Sequence, residues 1–218
     1  MQKKNQPSST SIISAIVFIA LLIGLAIYSN KKNENKTESS KKNTGSYTLK
    51  SDQPITLGKT DSQVSFVEYY DYECPACHYL DKNVIPTLYE EYKDKVKFVF
   101  KQFPLSYHEQ AKAASYAAVC ANDQDKFWEF NNLLIKNYDN WTNNPRLLEN
   151  YAKDLEINTE KFNSCRESKE VADFVQRDYN DGITDKLEAT PTVFINGEKI
   201  EGVQEIDFYR EKLNSLLK

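Results

Sequence analysis

Residues 64–77 read VSFVEYYDYECPAC, and this stretch decides the fold. Its first nine residues predict a β-strand with apolar or aromatic side chains on both faces. These side chains are Val64, Phe66 and Tyr70 on one face and Val67 and Tyr69 on the other. A strand covered on both faces belongs in the middle of an α/β sheet. Cys74 follows the strand directly, and Pro75 suits the first turn of a helix.

The segments around this stretch predict a β-α-β unit. Leu80, Val84 and Leu88 recur at helical spacing, so we expect a helix to about residue 93, kinked near Pro86. Residues 96–103 predict the next strand, and strand–helix–strand is typical of a right-handed parallel pair. Two short edge strands are expected ahead of the unit, at residues 47–50 and 55–58.

The rest of the pattern is helical and then returns to β-structure. Helical segments are expected at residues 108–121, 125–137, 145–155 and 159–186, the last interrupted near Gly182. Asn196-Gly197 lies between two short strand-like runs and is a strong hairpin signal. Residues 206–217 predict a closing helix. We therefore predict an α/β thioredoxin fold over residues 47–218, with a helical domain inserted at about residues 106–186.

Cys74 and Cys77 predict thiol–disulfide chemistry. A thiolate is stabilised at a helix N-terminus by free N–H groups and the macrodipole, so Cys74 is the expected nucleophile. Cys77 lies one turn further on and is the expected resolving thiol. A static disulfide or two packed thiols are the structural alternative. With His78 the motif also matches a c-type haem attachment signature, and a zinc site would need two further ligands; we expect neither metal nor cofactor.

Four stretches together resemble the DsbA-like thiol–disulfide oxidoreductases, especially the membrane-anchored forms of Gram-positive bacteria. They are residues 67–77, Phe103-Pro104-Leu105 with His108 and Ala111, residues 126–128, and Ala189-Thr190-Pro191-Thr192 running into Asn196-Gly197. The resemblance spans nearly the whole of residues 47–218. It is far more specific than a lone pair of cysteines two residues apart.

The resemblance implies roles for three residues outside the cysteine motif. Pro191 is expected to be cis, with Thr190 facing the cysteines and its backbone free to pair with an extended substrate strand. An ordinary trans-proline at the start of a strand is the alternative. Glu68 matches a family acidic residue that assists proton transfer at the buried cysteine, and burial should raise its pKa. A partly solvated structural carboxylate is its alternative reading.

Two residues bear on the direction of electron flow. Strongly oxidising relatives have His between Pro75 and Cys77, where this chain has Ala76, and Ala cannot favour the thiolate as His can. Glu73 adjoins Cys74, and its charge should oppose thiolate formation if the side chain points inward.

Cys120 and Cys165 lie in the expected helical domain, 45 positions apart. Both fall on apolar helical faces that would suit buried unpaired thiols. Four cysteines is an even count, an extracytoplasmic oxidant seldom leaves thiols free, and some relatives have a disulfide in the helical domain. We favour a structural disulfide, which would stabilise the fold by roughly 4 kcal/mol on the chain-entropy estimate.

The N-terminus predicts delivery to a membrane. Residues 12–28 are uncharged and almost wholly apolar, near the lower limit for a transmembrane helix, and follow a short basic segment, residues 1–11. A cleaved signal peptide is the alternative, although the run ends without a good cleavage site. Residues 29–46 are polar and predict a flexible linker. The lysines after the span favour a cytoplasmic domain, but long C-terminal domains translocate largely regardless of flanking charge. We therefore expect a single-pass cell-membrane protein with an extracytoplasmic domain.

The net charge of the domain and the cysteine motif together limit the functions that this chain can have. Residues 43–218 have 21 basic and 30 acidic side chains, a net charge of −9, which makes a poor nucleic-acid binder. We expect a monomeric oxidase that introduces disulfides into reduced exported proteins and is reoxidised by a quinone-linked membrane thiol oxidase. A membrane-tethered reductase or isomerase is the first alternative. A thioredoxin-fold metal or haem-assembly chaperone is the second.

Overall fold

The computed structural model describes residues 47–218. The N-terminal segment at residues 1–11, the expected membrane span at 12–28 and the linker at 29–46 lie outside the described residues. Within residues 47–218, no helix is both long and apolar enough to span a bilayer.

The order of the elements is β-β-α-α-β, then six helices, then β-β-α within residues 47–218. The strands are β1 (Ile55–Gly58), β2 (Ser65–Tyr70), β3 (Lys97–Gln102), β4 (Thr192–Ile195) and β5 (Glu198–Glu201). The helices are α1 (Pro75–Asn83), α2 (Ile85–Tyr92), α3 (Ala111–Asn122), α4 (Phe127–Lys136), α5 (Tyr138–Asn143), α6 (Leu147–Asp154), α7 (Thr159–Arg166), α8 (Lys169–Thr184) and α9 (Ile206–Leu216). This order confirms the thioredoxin fold with helices between β3 and β4.

The strands of residues 47–218 form one five-stranded sheet in the order β1-β3-β2-β4-β5. β2 and β3 are parallel, and the other neighbouring pairs are antiparallel. β2 is therefore the central strand, as its two apolar faces predict. Phe66 and Tyr70 pack into the main core on one face, whereas Tyr69 packs with Phe103 and Leu187 on the other.

The helix expected after Cys74 is two helices. α1 ends at Asn83, and Val84 (φ −117°, ψ −57°) separates it from α2. Pro86 lies in the first turn of α2, where its missing N–H costs nothing. Instead of the kink expected near Pro86, the helix breaks two residues earlier, at Val84.

The interruption expected at Gly182 is wrong. α8 runs through Gly182 without a break, and the helical segment at 159–186 instead divides where α7 ends and Ser168 caps α8 by accepting a hydrogen bond from the Val171 amide. Gly182 is required for packing: a Cβ there would lie 2.6 Å from two ring atoms of Phe103.

The strand expected at residues 47–50 is also wrong, because this segment bonds to the helical domain instead of the sheet. The Tyr47 hydroxyl donates to Asp123 Oδ2 at 2.6 Å, and the Lys50 ammonium pairs with Asp125. Both aspartates lie in the turn between α3 and α4. The segment therefore lies against the helical insertion.

A disulfide in the helical insertion and a tight turn in the last hairpin complete the fold. Cys120 on α3 and Cys165 on α7 form a disulfide, with their Cα atoms 5.8 Å apart. In the turn between β4 and β5, Asn196 and Gly197 have φ angles of 46° and 86°. Two consecutive positive φ angles match the tight hairpin turn that Asn-Gly predicts.

Candidate active site

Cys74 lies at the N-cap of α1, where the helix meets the carboxyl end of β2. Its backbone is extended (φ −78°, ψ 118°), and Pro75 begins the helix. The first N–H groups of a helix have no partner within the helix, so they are free to stabilise a negative charge at this position. Cys74 is 8% exposed and Cys77 is 1% exposed, and both are free thiols.

The two thiols differ sharply in acidity. The pKa of Cys74 is lowered to about 5, chiefly because the Cys77 thiol donates a hydrogen bond to its sulfur. A hydrogen bond with Thr190 and the amides of Cys77 and Ala76 add to this, while burial opposes it. The pKa of Cys77 is raised well above its usual range, first by burial and then by its interaction with Cys74. At neutral pH the site therefore holds a thiolate at Cys74 and a protonated thiol at Cys77.

Thr190 and Pro191 lie against Cys74, although 116 positions separate Thr190 from it. The peptide bond between them is cis. Antiparallel pairing of β2 with β4 places Tyr69 opposite Thr192, which brings the start of β4 beside the active-site helix. Cys74 Sγ lies 3.2 Å from the Thr190 carbonyl oxygen and donates a hydrogen bond to it when the thiol is protonated.

Glu68 is fully buried beneath the cysteines, on the same face of β2 as the main core. Burial raises its pKa well above the usual range, and the nearby charge of Asp81 adds to the shift. Asp81 lies on α1, one turn beyond Cys77, and is 4% exposed. Burial raises the pKa of Asp81 to about 7. The sequence reasoning missed Asp81, although its spacing of four from Cys77 places both on one helical face.

The loop that holds Cys74 is fixed by a buried carboxylate. Asp71 accepts hydrogen bonds from the amides of Glu73 and Leu105, at 2.7 and 2.6 Å, and from His108 Nδ1 at 2.9 Å. Its own amide donates to the Cys77 sulfur at 3.4 Å. Asp71 and His108 lie outside the Cys74–Cys77 motif, and their hydrogen bonds fix the position of the motif. Both residues lie in stretches that carry the resemblance, but the sequence indicated no role for Asp71.

Two charged or titratable neighbours of the motif are held away from Cys74. Glu73 accepts hydrogen bonds from the backbone amides of Gln110 and Ala111, the latter at 2.7 Å. Its negative charge therefore stabilises the N-terminus of α3. His78 Nε2 donates to the Tyr72 carbonyl oxygen at 2.6 Å, and burial lowers the pKa of this imidazole. Among residues 47–218, no group of three or more His, Cys, Asp or Glu side chains could hold a metal ion.

Comparison with known proteins decides the family. Residues 50–215 match the family described as Thioredoxin. The chain is 31% identical over 205 residues to the "Probable disulfide bond formation protein D" of Bacillus anthracis, covering 90% of this chain and 91% of that protein. The chain belongs to the DsbA-like thiol–disulfide oxidoreductases. It is thus a thiol–disulfide oxidoreductase enzyme.

Solved DsbA-like structures share the fold. The oxidised BdbD of Bacillus subtilis is 27% identical, with a TM-score of 0.66 over 79% of this chain and 97% of that one. The alpha-DsbA1 of Wolbachia pipientis is 24% identical, with a TM-score of 0.68 over 78% of this chain and 93% of that one.

The DsbA-like site brings together the residues that the sequence nominated. Cys74, Cys77, Thr190, Pro191 and Glu68 converge where β2, α1 and β4 meet. Pro75 and Ala76 lie in the first turn of α1 and form its N-terminus, next to Cys74. Cys120 and Cys165 are remote from this point in the chain and join α3 to α7.

Proposed function

We propose that this DsbA-like enzyme introduces disulfide bonds into reduced exported proteins through Cys74 and Cys77. The observation that carries the proposal is the opposite shift of the two thiol pKa values, down to about 5 for Cys74 and well up for Cys77. A thiolate that is stable when reduced is a good leaving group and makes its disulfide a good oxidant.

The reaction proceeds in two exchanges. A substrate thiolate attacks Cys74 Sγ of the oxidised enzyme, a mixed disulfide forms, and Cys77 leaves with the electron pair and takes up a proton. A second substrate thiolate then attacks the substrate sulfur of the mixed disulfide, and Cys74 leaves as a stable thiolate. The substrate dithiol has lost two electrons and two protons; the enzyme holds the electrons as a Cys74 thiolate and a Cys77 thiol, and the second proton passes to solvent.

Thr190, Pro191 and Glu68 serve this reaction in different ways. A cis-proline at the start of β4 leaves the Thr190 backbone facing Cys74, where an extended substrate segment can pair with it. Glu68 exchanges the proton of Cys77, because its charge already acts on that thiol and its raised pKa lets it hold a proton near neutrality.

The enzyme works, in this proposal, as a monomer outside the cytoplasm, anchored in the cell membrane by residues 12–28 and tethered by residues 29–46. The apolar run and the polar segment after it support this placement. The disulfide between Cys120 and Cys165 adds support, because structural disulfides persist in oxidising compartments. A quinone-linked membrane thiol oxidase returns the dithiol to the disulfide.

Trapping of mixed disulfides tests the proposal. The Cys77→Ala variant of the full chain, expressed in cells, is expected to accumulate mixed disulfides with exported proteins, because the resolving thiol is gone. The matched Cys74→Ala variant is expected to accumulate none. In vitro, the oxidised wild-type chain should oxidise a reduced, unfolded two-cysteine protein. Trapping at Cys77 instead of Cys74, or a chain that only reduces disulfides, would contradict the proposal.

A further inference from the structure

Glu68 and Asp81 form a buried pair of carboxyl groups. Glu68 is 0% exposed and Asp81 is 4% exposed. Among residues 47–218, neither Oε atom of Glu68 nor Oδ1 of Asp81 has a hydrogen-bond partner. Buried polar groups are normally partnered, because an unpartnered one costs about 1–3 kcal/mol, so three such oxygens in one place need an explanation.

The groups around the pair provide no positive charge. Cys77 and Asp81 face Glu68 from α1, Tyr72 from the end of β2, and Tyr209 from α9. Tyr70 on β2 and Asn131 on α4 face Asp81. All of these groups are neutral or acidic. Two carboxylates in such surroundings cannot both ionise, so at least one keeps its proton near neutral pH.

A retained proton explains two of the three unpartnered oxygens. A protonated Glu68 becomes a donor and can bond to the Asp81 carboxylate, which satisfies one oxygen on each residue. Such a bond to an ionised acceptor is stronger than a neutral one. The two carboxyl groups then titrate as one unit with two macroscopic steps.

We propose that Glu68 and Asp81 act as a single proton-sharing pair, in which Asp81 positions and tunes Glu68 so that Glu68 accepts and returns the proton of Cys77. This rests on the proposed function, since it concerns the step in which Cys77 resolves a mixed disulfide. Asp81 acts through Glu68 and is a positioning residue.

In a mixed disulfide between Cys74 and a partner sulfur, Cys77 gives its proton to Glu68 while Glu68 passes its own proton to the Asp81 carboxylate. The pair thereby goes from one negative charge to none. The Cys77 sulfur attacks Cys74 Sγ, the bond between Cys77 and Cys74 forms, and the partner sulfur leaves as a thiolate with the electron pair. In the reverse step the leaving Cys77 thiolate recovers the proton from the pair.

The pH profile of resolution tests the pair. Reduced full-length chain is mixed with oxidised glutathione, which forms a mixed disulfide at Cys74, and the release of glutathione by Cys77 is followed by acid quench and mass spectrometry. In the wild type the release rate is expected to rise with pH and to inflect near 7, where the pair takes up its single negative charge. A base whose pKa lies near the working pH is the most effective one.

The variants distinguish a shared proton from a structural role. Asp81→Asn removes the bond that stabilises the singly charged pair, so the inflection should move up by at least one pH unit and release at pH 6.5 should slow by about tenfold, approaching the wild-type rate at high pH. Glu68→Gln should slow release at every pH and remove the inflection. The double variant should be no slower than Glu68→Gln, because groups that act as a unit are not additive.

Asp178→Asn is the matched control. Asp178 is also fully buried with one unpartnered oxygen, and its pKa is raised by burial, but it acts on Tyr69, whose side chain lies on the other face of the sheet. Its profile should match the wild type. The infrared C=O band of a protonated carboxylic acid gives a readout in the unaltered protein: near pH 7.5, where Asp178 with its pKa of about 6 is ionised, the band should be present, and it should be absent in the Glu68→Gln, Asp81→Asn double variant.

Two results would overturn the inference. One is an Asp81→Asn profile with an unchanged inflection, or with the same slowing at every pH. The other is equal loss of the C=O band in Asp178→Asn and in the double variant. If the wild type forms no mixed disulfide at Cys74 at all, the proposed function fails, and the inference with it.

Discussion

At the scale of single residues, the acidity of Cys74 comes from its own helix and from Thr190. No basic side chain from residues 47–218 is among the causes of its low pKa; the Cys77 thiol, Thr190 and the amides of α1 supply the stabilisation. The absence of His between the cysteines therefore does not prevent thiolate formation. Strongly oxidising relatives have this His, which favours the thiolate further, and this chain lacks that contribution to the low pKa.

The depressed pKa of Cys74 predicts a pH-dependent stability of the reduced chain. The folded pKa is about 5 and the unfolded value is about 8.5, so the stabilisation is complete above pH 8.5 and is lost as pH falls through 5. Between pH 7 and 5 the loss is about 2.3 kcal/mol, since the slope of about 1.36 kcal/mol per pH unit falls off as pH approaches 5. Urea unfolding of the reduced wild type against reduced Cys74→Ser should show the difference in stability shrinking over this interval. A difference that is constant with pH would mean that Cys74 has an ordinary pKa.

The sequence could nominate Cys74, Cys77, Thr190 and Pro191 because each belongs to a short, recognisable motif. It could not nominate Asp81 or Asp71, because their roles depend on a strand and a helix, or two loops, meeting in space. Glu68 lay between these cases. Its place in an apolar strand indicated burial, but only the structure shows the second carboxyl beside it.

At the scale of elements, α8 shows how packing can require a glycine inside a helix. Gly182 lies beside the ring of Phe103, which stacks on Tyr179 with centroids 4.7 Å apart and also contacts Tyr69. The ring is held from several sides and cannot easily move. Local propensity favours a helix break at glycine, but the contact of α8 with the sheet overrides it.

Gly182→Ala is expected to destabilise the fold. The added methyl group would overlap the Phe103 ring, a cost of about 1–3 kcal/mol, offset by a gain in helix propensity of about 1 kcal/mol. We predict a net loss of about 1 kcal/mol in the free energy of unfolding, measured with urea at an unchanged slope. Ile183→Ala, at a 53% exposed neighbour, is the control and should stay within about 0.5 kcal/mol. A Gly182→Ala variant at least as stable as the wild type would show that the ring gives way.

Elements whose pattern is local were predictable, and those that depend on a distant partner were not. β2 and the Asn196-Gly197 turn follow from alternation and turn chemistry within a few residues. The segment at residues 47–50 alternates like a strand, yet Asp123 and Asp125 bind it through the Tyr47 hydroxyl and Lys50. Those aspartates lie more than 70 positions away, beyond any local pattern.

At the scale of the whole molecule, the sheet topology assembles the site. The insertion of α3–α8 separates β3 from β4 in sequence, but the antiparallel pairing of β4 with β2 returns Thr190 to Cys74. The disulfide between Cys120 and Cys165 closes part of that insertion. The insertion also supports the site, because Glu73 binds the backbone amides at the start of α3 and Asn131 on α4 faces Asp81.

Whether this molecule donates disulfides is decided by the equilibrium reduction potential of the full-length chain, measured against glutathione. Thioredoxin, with a thiolate pKa of about 7, has a potential of roughly −270 mV, and the lower pKa of Cys74 raises the expected value by about 50 mV. We predict about −220 mV at pH 7. That value or a more positive one would make the disulfide more oxidising than that of thioredoxin, as disulfide donation requires. A value at or below roughly −270 mV would contradict the account and make the chain a reductase.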